Sequence, residues 1–273
     1  MKRIVTAGML ALCVSLPCLL AQGKNQQPAP KSKGEAQAYN AMVSATDPDT
    51  RIKLADAFIT KYADTQFKDV AFFVTAFSYQ QKGDAVKQQV YAEKTLEVNP
   101  KHFEAMLLVA DAIVRQTQEH DLDRDEKLAN VQKYANQAIE TVKTAPKPSA
   151  QMPDQDWENA KKNDIAEAHN YLGMSAMIAK KYDVSIAEFK TAIDTTATPQ
   201  PAYEIRLASV YRDSGKNDEA IALCDKIGTE ANTPAQIKQI AQSIRAGALK
   251  AKSAPAAAAA PAGAASPAPS QTR

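Results

Sequence analysis

Apolar residues recur along this chain at spacings of three and four, and Gly, Pro, Asn and Asp interrupt them at intervals. That rhythm predicts about eleven helices joined in antiparallel pairs, with little of the alternation that marks strands. A first pair is expected from Glu35 to Ala45 and from Asp49 to Tyr62, turning at Asp47-Pro48, where the proline ring enforces the break. Leu54, Phe58 and Ile59 form the apolar side of its second helix. The second pair spans Asp69 to Val98, turns at Lys82-Gly83-Asp84 and closes at Asn99-Pro100.

A third pair opens at Phe103 with Met106, Val109, Ala110 and Ile113, and resumes at Val131, Ala135 and Ala138 only after an insertion of about nine residues. A proline-containing connector, Thr144 to Pro153, leads to a long helix from Asp156 to about Lys180. The fourth pair occupies Ala166 to Ala197 and the fifth Pro201 to Ile227. A last helix, Pro234 to Ala251, carries Ile237, Ile240, Ala241, Ile244 and Leu249 and is expected to cap the array.

The units repeat. Leu172-Gly173 with Tyr182 and Phe189 is followed, 35 residues after Leu172, by Leu207-Ala208 with Gly215, Ala220 and Cys224. Thr75-Ala76, Tyr79, Gly83 and Pro100 hold corresponding offsets in an earlier unit. Small residues thus sit where two helix axes cross and large ones fill the gaps between them. This pattern resembles the tetratricopeptide repeat, whose unit is about 34 residues, over roughly Glu35 to Ala251. The departures are His169, Ser185 and Gln88 at positions where the family uses an aromatic or small residue, and Glu204, Cys224 and Ile227 in the fifth unit.

The resemblance implies an all-α, right-handed α-solenoid of about five antiparallel helix pairs plus a C-terminal capping helix. It also implies a concave face made by the first helix of each pair. Carried onto this sequence, that face comprises Phe73, Phe77, Leu107, Asp111, Val114, Asn170, Met174, Met177, Ile205, Ser209 and Arg212. Such a lining suits an amphipathic or extended peptide, with Asp111, Asn170 and Arg212 orienting polar groups. A one-position slip in register would instead bury several of these side chains. The Lys/Asn/Arg set with which some members hold a terminal carboxylate is replaced here mostly by Phe73, Phe77, Leu107 and Leu108.

Composition refines this picture at the ends. Lys2 and Arg3 precede an apolar run from Ile4 to Leu20, followed by Ala21 and the polar Gln22-Gly23-Lys24-Asn25, the layout of a secretory signal peptide covering residues 1–21. An uncleaved anchor is the alternative, against which stand Pro17 and the shortness of the run. Residues 22–34 read as a disordered lead-in, 35–251 as the repeat domain, and 252–273 as a disordered Ala/Pro-rich tail. Loss of Lys2 and Arg3 takes the 33 basic residues to 31, equal to the 31 acidic ones, so no nucleic-acid footprint is expected. Cys13 and Cys18 fall in the leader, neither in a lipoprotein context; Cys224 then remains alone, on an apolar helix face.

Catalytic and metal chemistry find little support. In the loop Glu119 to Glu126, Asp121, Asp123 and Asp125 resemble the start of a calcium loop. Glu126 stands where that loop needs glycine, and Gln132 where it needs glutamate. Asp121 or Asp123 is expected to cap the following helix instead. His102, His120 and His169 lack metal-ligand spacing, Asp154 and Asp156 read as helix-start acids, and no phosphate loop or nucleophile elbow is present. The expectation is an exported, non-enzymatic scaffold or adaptor binding a protein or peptide in the periplasm or cell envelope, without cofactor or metal. Two alternatives are a metal-dependent or hydrolytic enzyme using the insertion after Thr117, and a spacer whose tail contacts the cell wall. Cleavage after Ala21 predicts a mature protein starting at Gln22; an intact mass that begins at Met1 overturns it.

Overall fold

The computed structural model describes residues 28–253, and these contain eleven helices and no strand. The leader (1–21) and residues 254–273 of the expected tail lie outside them. The chain divides into two compact units at Pro199/Gln200, whereas the repeat pattern groups 35–251 together.

The first unit holds α1 (Lys33–Ser44), α2 (Pro48–Lys61), α3 (Lys68–Lys82), α4 (Ala85–Val98), α5 (Phe103–Gln116), α6 (Arg124–Thr144), α7 (Asp154–Ile178) and α8 (Tyr182–Thr195). Each helix packs on the next, and α3 also touches α5, as α5 touches α7, the nearest-neighbour arrangement of stacked hairpins. Contacts across each pair run in opposite chain directions. Asp69 meets Asn99 while Tyr79 stacks on Tyr91 in α3/α4, and Asn163 reaches Thr196 while Ser185 reaches Gly173 in α7/α8. Between α3 and α5 the direction is shared: Phe73 lies on His102, and Gln80 donates to Asp111.

The helices start and stop for local reasons. Asp47 and Asp84 accept from backbone N–H groups of the first turns of α2 and α4, at 2.8 and 3.0 Å. Pro48 and Pro201 occupy first-turn positions, where a missing N–H costs nothing. Ser32 caps α1, and Glu35 accepts from the Lys31 N–H at 2.6 Å and from Thr65 at 2.7 Å. Residues 31–34, expected in the disordered lead-in, are therefore tied to the start of the fold, because Glu35 supplies acceptors that the apolar pattern does not register.

Three hairpins use one turn. Gly83 at φ +76°, Lys180 at +57° and Gly215 at +78° each donate to the carbonyl three residues back, and the next N–H reaches five residues back. Glycine takes that left-handed geometry without a Cβ penalty, and Lys180 does not.

The first unit's core runs through α3 to α7. In α5 every residue from Ala105 to Val114 is buried, because α3, α4, α6 and α7 pack around it. A smaller core of Met42, Ala55, Phe58, Phe67 and Ala71 joins α1, α2 and the start of α3. Two helices approach closely in α7/α8: a Cβ on Gly173 would stand 2.8 Å from the Phe189 ring, and Ser185 Oγ donates to the Gly173 carbonyl at 2.8 Å.

The second unit contains α9 (Pro201–Asp213), α10 (Asn217–Thr229) and α11 (Ala235–Ser253). Helix α11 packs on both others and extends past the expected end at Ala251. Its inward positions are Ala241, Ile244 and Ala248, with Ile237 partly buried on the same core. Ile240 and Leu249, expected on the same face, are 39% and 41% exposed because a 3.6-residue period carries them off that stripe. Cys224 is buried with Ile227 on this core, and burial pushes its thiol pKa up.

Gly173→Ala is expected to destabilise the protein by about 1–3 kcal/mol, since neither the ring nor the helix backbone can retreat easily, whereas Gly228→Ala, with open space at its Cβ, is expected to be neutral or mildly stabilising. Denaturant melts of the two variants compare them directly. Lys180→Gly is expected to raise the melting temperature by roughly 2–4 °C through relief of the left-handed strain, the exposed Lys180–Glu119 pair contributing little.

Candidate functional site

The residues expected to line a concave face divide by burial. Leu107, Asp111, Val114 and Asn170 are 4%, 7%, 2% and 3% exposed, so they are not available to a partner. For the three α5 residues the cause is that helix's enclosure by four neighbours, which leaves no open side at those positions. Phe73, Phe77, Met174 and Met177 remain partly accessible. The first three pack against the same core as Leu107 and Val114, so the first unit does bring α3, α5 and α7 residues of the expected face onto one apolar body.

Asp111, expected to orient a partner's polar groups, is engaged internally. It accepts from Gln80 Nε2 at 3.1 Å, from Gln88 Nε2 at 2.9 Å and from Arg115 at 3.3 Å. Gln88 also donates to the Leu108 carbonyl at 2.9 Å and is fully buried, its amide nitrogen paired and its Oε1 without a partner among the described residues. Three of the other departures, Ser185, His169 and Glu204, also make polar contacts, while Cys224 and Ile227 are buried on the second unit's apolar core. Ser185 bonds the Gly173 carbonyl, His169 Nδ1 sits 2.7 Å from Glu188, and Glu204 meets Lys226 at 2.6 Å. Each is a polar contact across a hairpin.

The accessible face has its own surroundings. Arg51, 2% exposed, lies 5.7 Å from the Phe77 ring centroid and donates to the Ala45 carbonyl, Ser78 and Gln81; burial lowers its pKa from the ordinary value. Phe73 lies against the His102 ring at 4.6 Å, and His102 Nδ1 is 3.1 Å from Glu104. Across α5 and α7, Phe103 meets Trp157 at 6.4 Å. One turn beyond Lys161 on α7, burial, and then Glu104 and Glu167, push the Asp164 carboxyl up to about 8. Asp164 was not among the residues expected from sequence. Its signal there is only a carboxylate three residues before Glu167.

In the second unit, Ile205 packs on the local core, while Ser209 and Arg212 line a shallow cleft of about 480 Å³ with Gln236, Gln239, Ile240, Ser243 and Ile244. The Arg212 guanidinium is held by Asp213 at 2.7 Å.

The insertion after Thr117 engages its acids in structural contacts. Asp121 accepts from the Gln118 N–H at 3.0 Å and pairs with Lys127 at 3.1 Å, and these two contacts, the backbone one first, lower its pKa. Glu119 pairs with Lys180. Asp123 stands at the N-cap of α6 but makes no side-chain cap bond; its carboxylate goes to Lys127 at 2.9 Å instead, which corrects the expected cap. Among the described residues no group of three or more His, Cys, Asp or Glu side chains is placed to hold a metal ion, and no helix is long and apolar enough to cross a membrane.

No protein-family model matches the chain, and no curated protein does. Among solved structures it is similar to TTC0263, a thermophilic TPR protein of Thermus thermophilus, at 18% identity and a TM-score of 0.48, over 78% of this chain and 95% of that one. It is similar also to the MamA RS-1 ArsTM double mutant, at 10% identity and TM-score 0.48, over 81% of this chain and 96% of that one. A third is the assembly chaperone of RpL4, Acl4 (residues 1–338), at 9% identity and TM-score 0.42, over 81% and 97% of the two chains.

The high pKa of Asp164 has a sign for stability. Between the unfolded value of 3.8 and the folded value of about 8, the folded state holds a proton that the unfolded state has lost, so stability falls as pH rises across that window. The slope is at most about 1.4 kcal/mol per pH unit. Asp164→Asn removes it: thermal melts are expected to show little difference from wild type near pH 4 and a growing advantage for the variant up to pH 8.

Proposed function

We propose that this chain is an exported, non-enzymatic scaffold or adaptor of tetratricopeptide-like helix pairs, binding a protein or peptide in the periplasm or cell envelope. The observation that carries the reading is the partly exposed apolar set Phe73, Phe77 and Met174, held on α3 and α7 by a shared core beneath them. Aromatic and methionine side chains on rigid helices give contact area at low entropic cost, which is how a helix or extended segment is anchored. The stacking of hairpins fixes these side chains relative to one another before a partner arrives, so little ordering remains to oppose binding.

Export rests on the leader pattern of residues 1–21. The buried Asp111 and Asn170 leave the first unit's contribution chiefly apolar, so affinity on this reading comes from shape and apolar area more than from charge.

The test is crosslinking of the full-length protein in intact cells, followed by identification of captured proteins and fractionation of the envelope. A defined envelope partner is expected, and Phe77→Ala with Met174→Ala should reduce its capture at least roughly tenfold, the scale of losing one or two anchors of a peptide. Circular dichroism of the variant confirms that the helices persist. Unchanged capture by a folded variant, or recovery of the protein solely in the cytoplasmic fraction, overturns the proposal.

A further inference from the structure

We draw no further inference here: the strongest candidate, the acidic side-chain cluster of Glu104 and Asp164 where α5 packs on α7, has no second feature beside it that shows which ligand it would hold.

Discussion

A lone helical hairpin leaves one side of its apolar stripe facing water, and only another hairpin can cover it. Most of this structure follows from that constraint. It is clearest at α5, where α4 and α6 cover the chain neighbours' sides and α3 and α7 cover the rest. The cost of leaving so apolar a helix uncovered is large, since each buried Leu, Val, Ile or Met contributes roughly 1.5–3 kcal/mol. The second unit solves the same problem on a smaller scale with α11, a helix with apolar inward positions and Lys, Gln and Arg outside.

Close approach sets the detail. Helix axes come near enough for dense packing only where one partner is small, as with Gly173 beneath Phe189 and with Ala76 and Ala92 in the α3/α4 core. Where this chain places a larger or polar residue at such a point, it adds a hydrogen bond. Gln88 finds Asp111 and Leu108, and Ser185 finds Gly173. These bonds are more directional than apolar contacts, so they pin the register of each pair as well as its separation.

The same polar bonds remove chemistry from the surface. Asp111 serves Gln80, Gln88 and Arg115, and the acids of the long insertion serve Lys127, Lys180 and a backbone N–H. What remains accessible on the first unit's expected face, Phe73, Phe77, Met174 and Met177, is apolar. Asp164 is the exception, a carboxyl whose partly buried setting and acidic neighbours favour its neutral form.

The sequence by itself determined the helices, their turns and their pairing, because these depend on short-range periodicity and on residues such as Gly83, Pro48 and Asp84 whose backbone preferences act locally. The repeat resemblance also placed Phe73, Phe77 and Met174 on first helices. The sequence could not decide that every side of α5 from Ala105 to Val114 would face a neighbour. Leu107, Asp111 and Val114 are buried because α3 and α7 as well as the chain neighbours close over them, and Ile240 and Leu249 are exposed because the helical period sets them to either side of the inward stripe of Ala241, Ile244 and Ala248. Burial of a helix face is a property of its neighbours, and so is the protonation of Asp164; only the assembled tertiary structure brings those neighbours together.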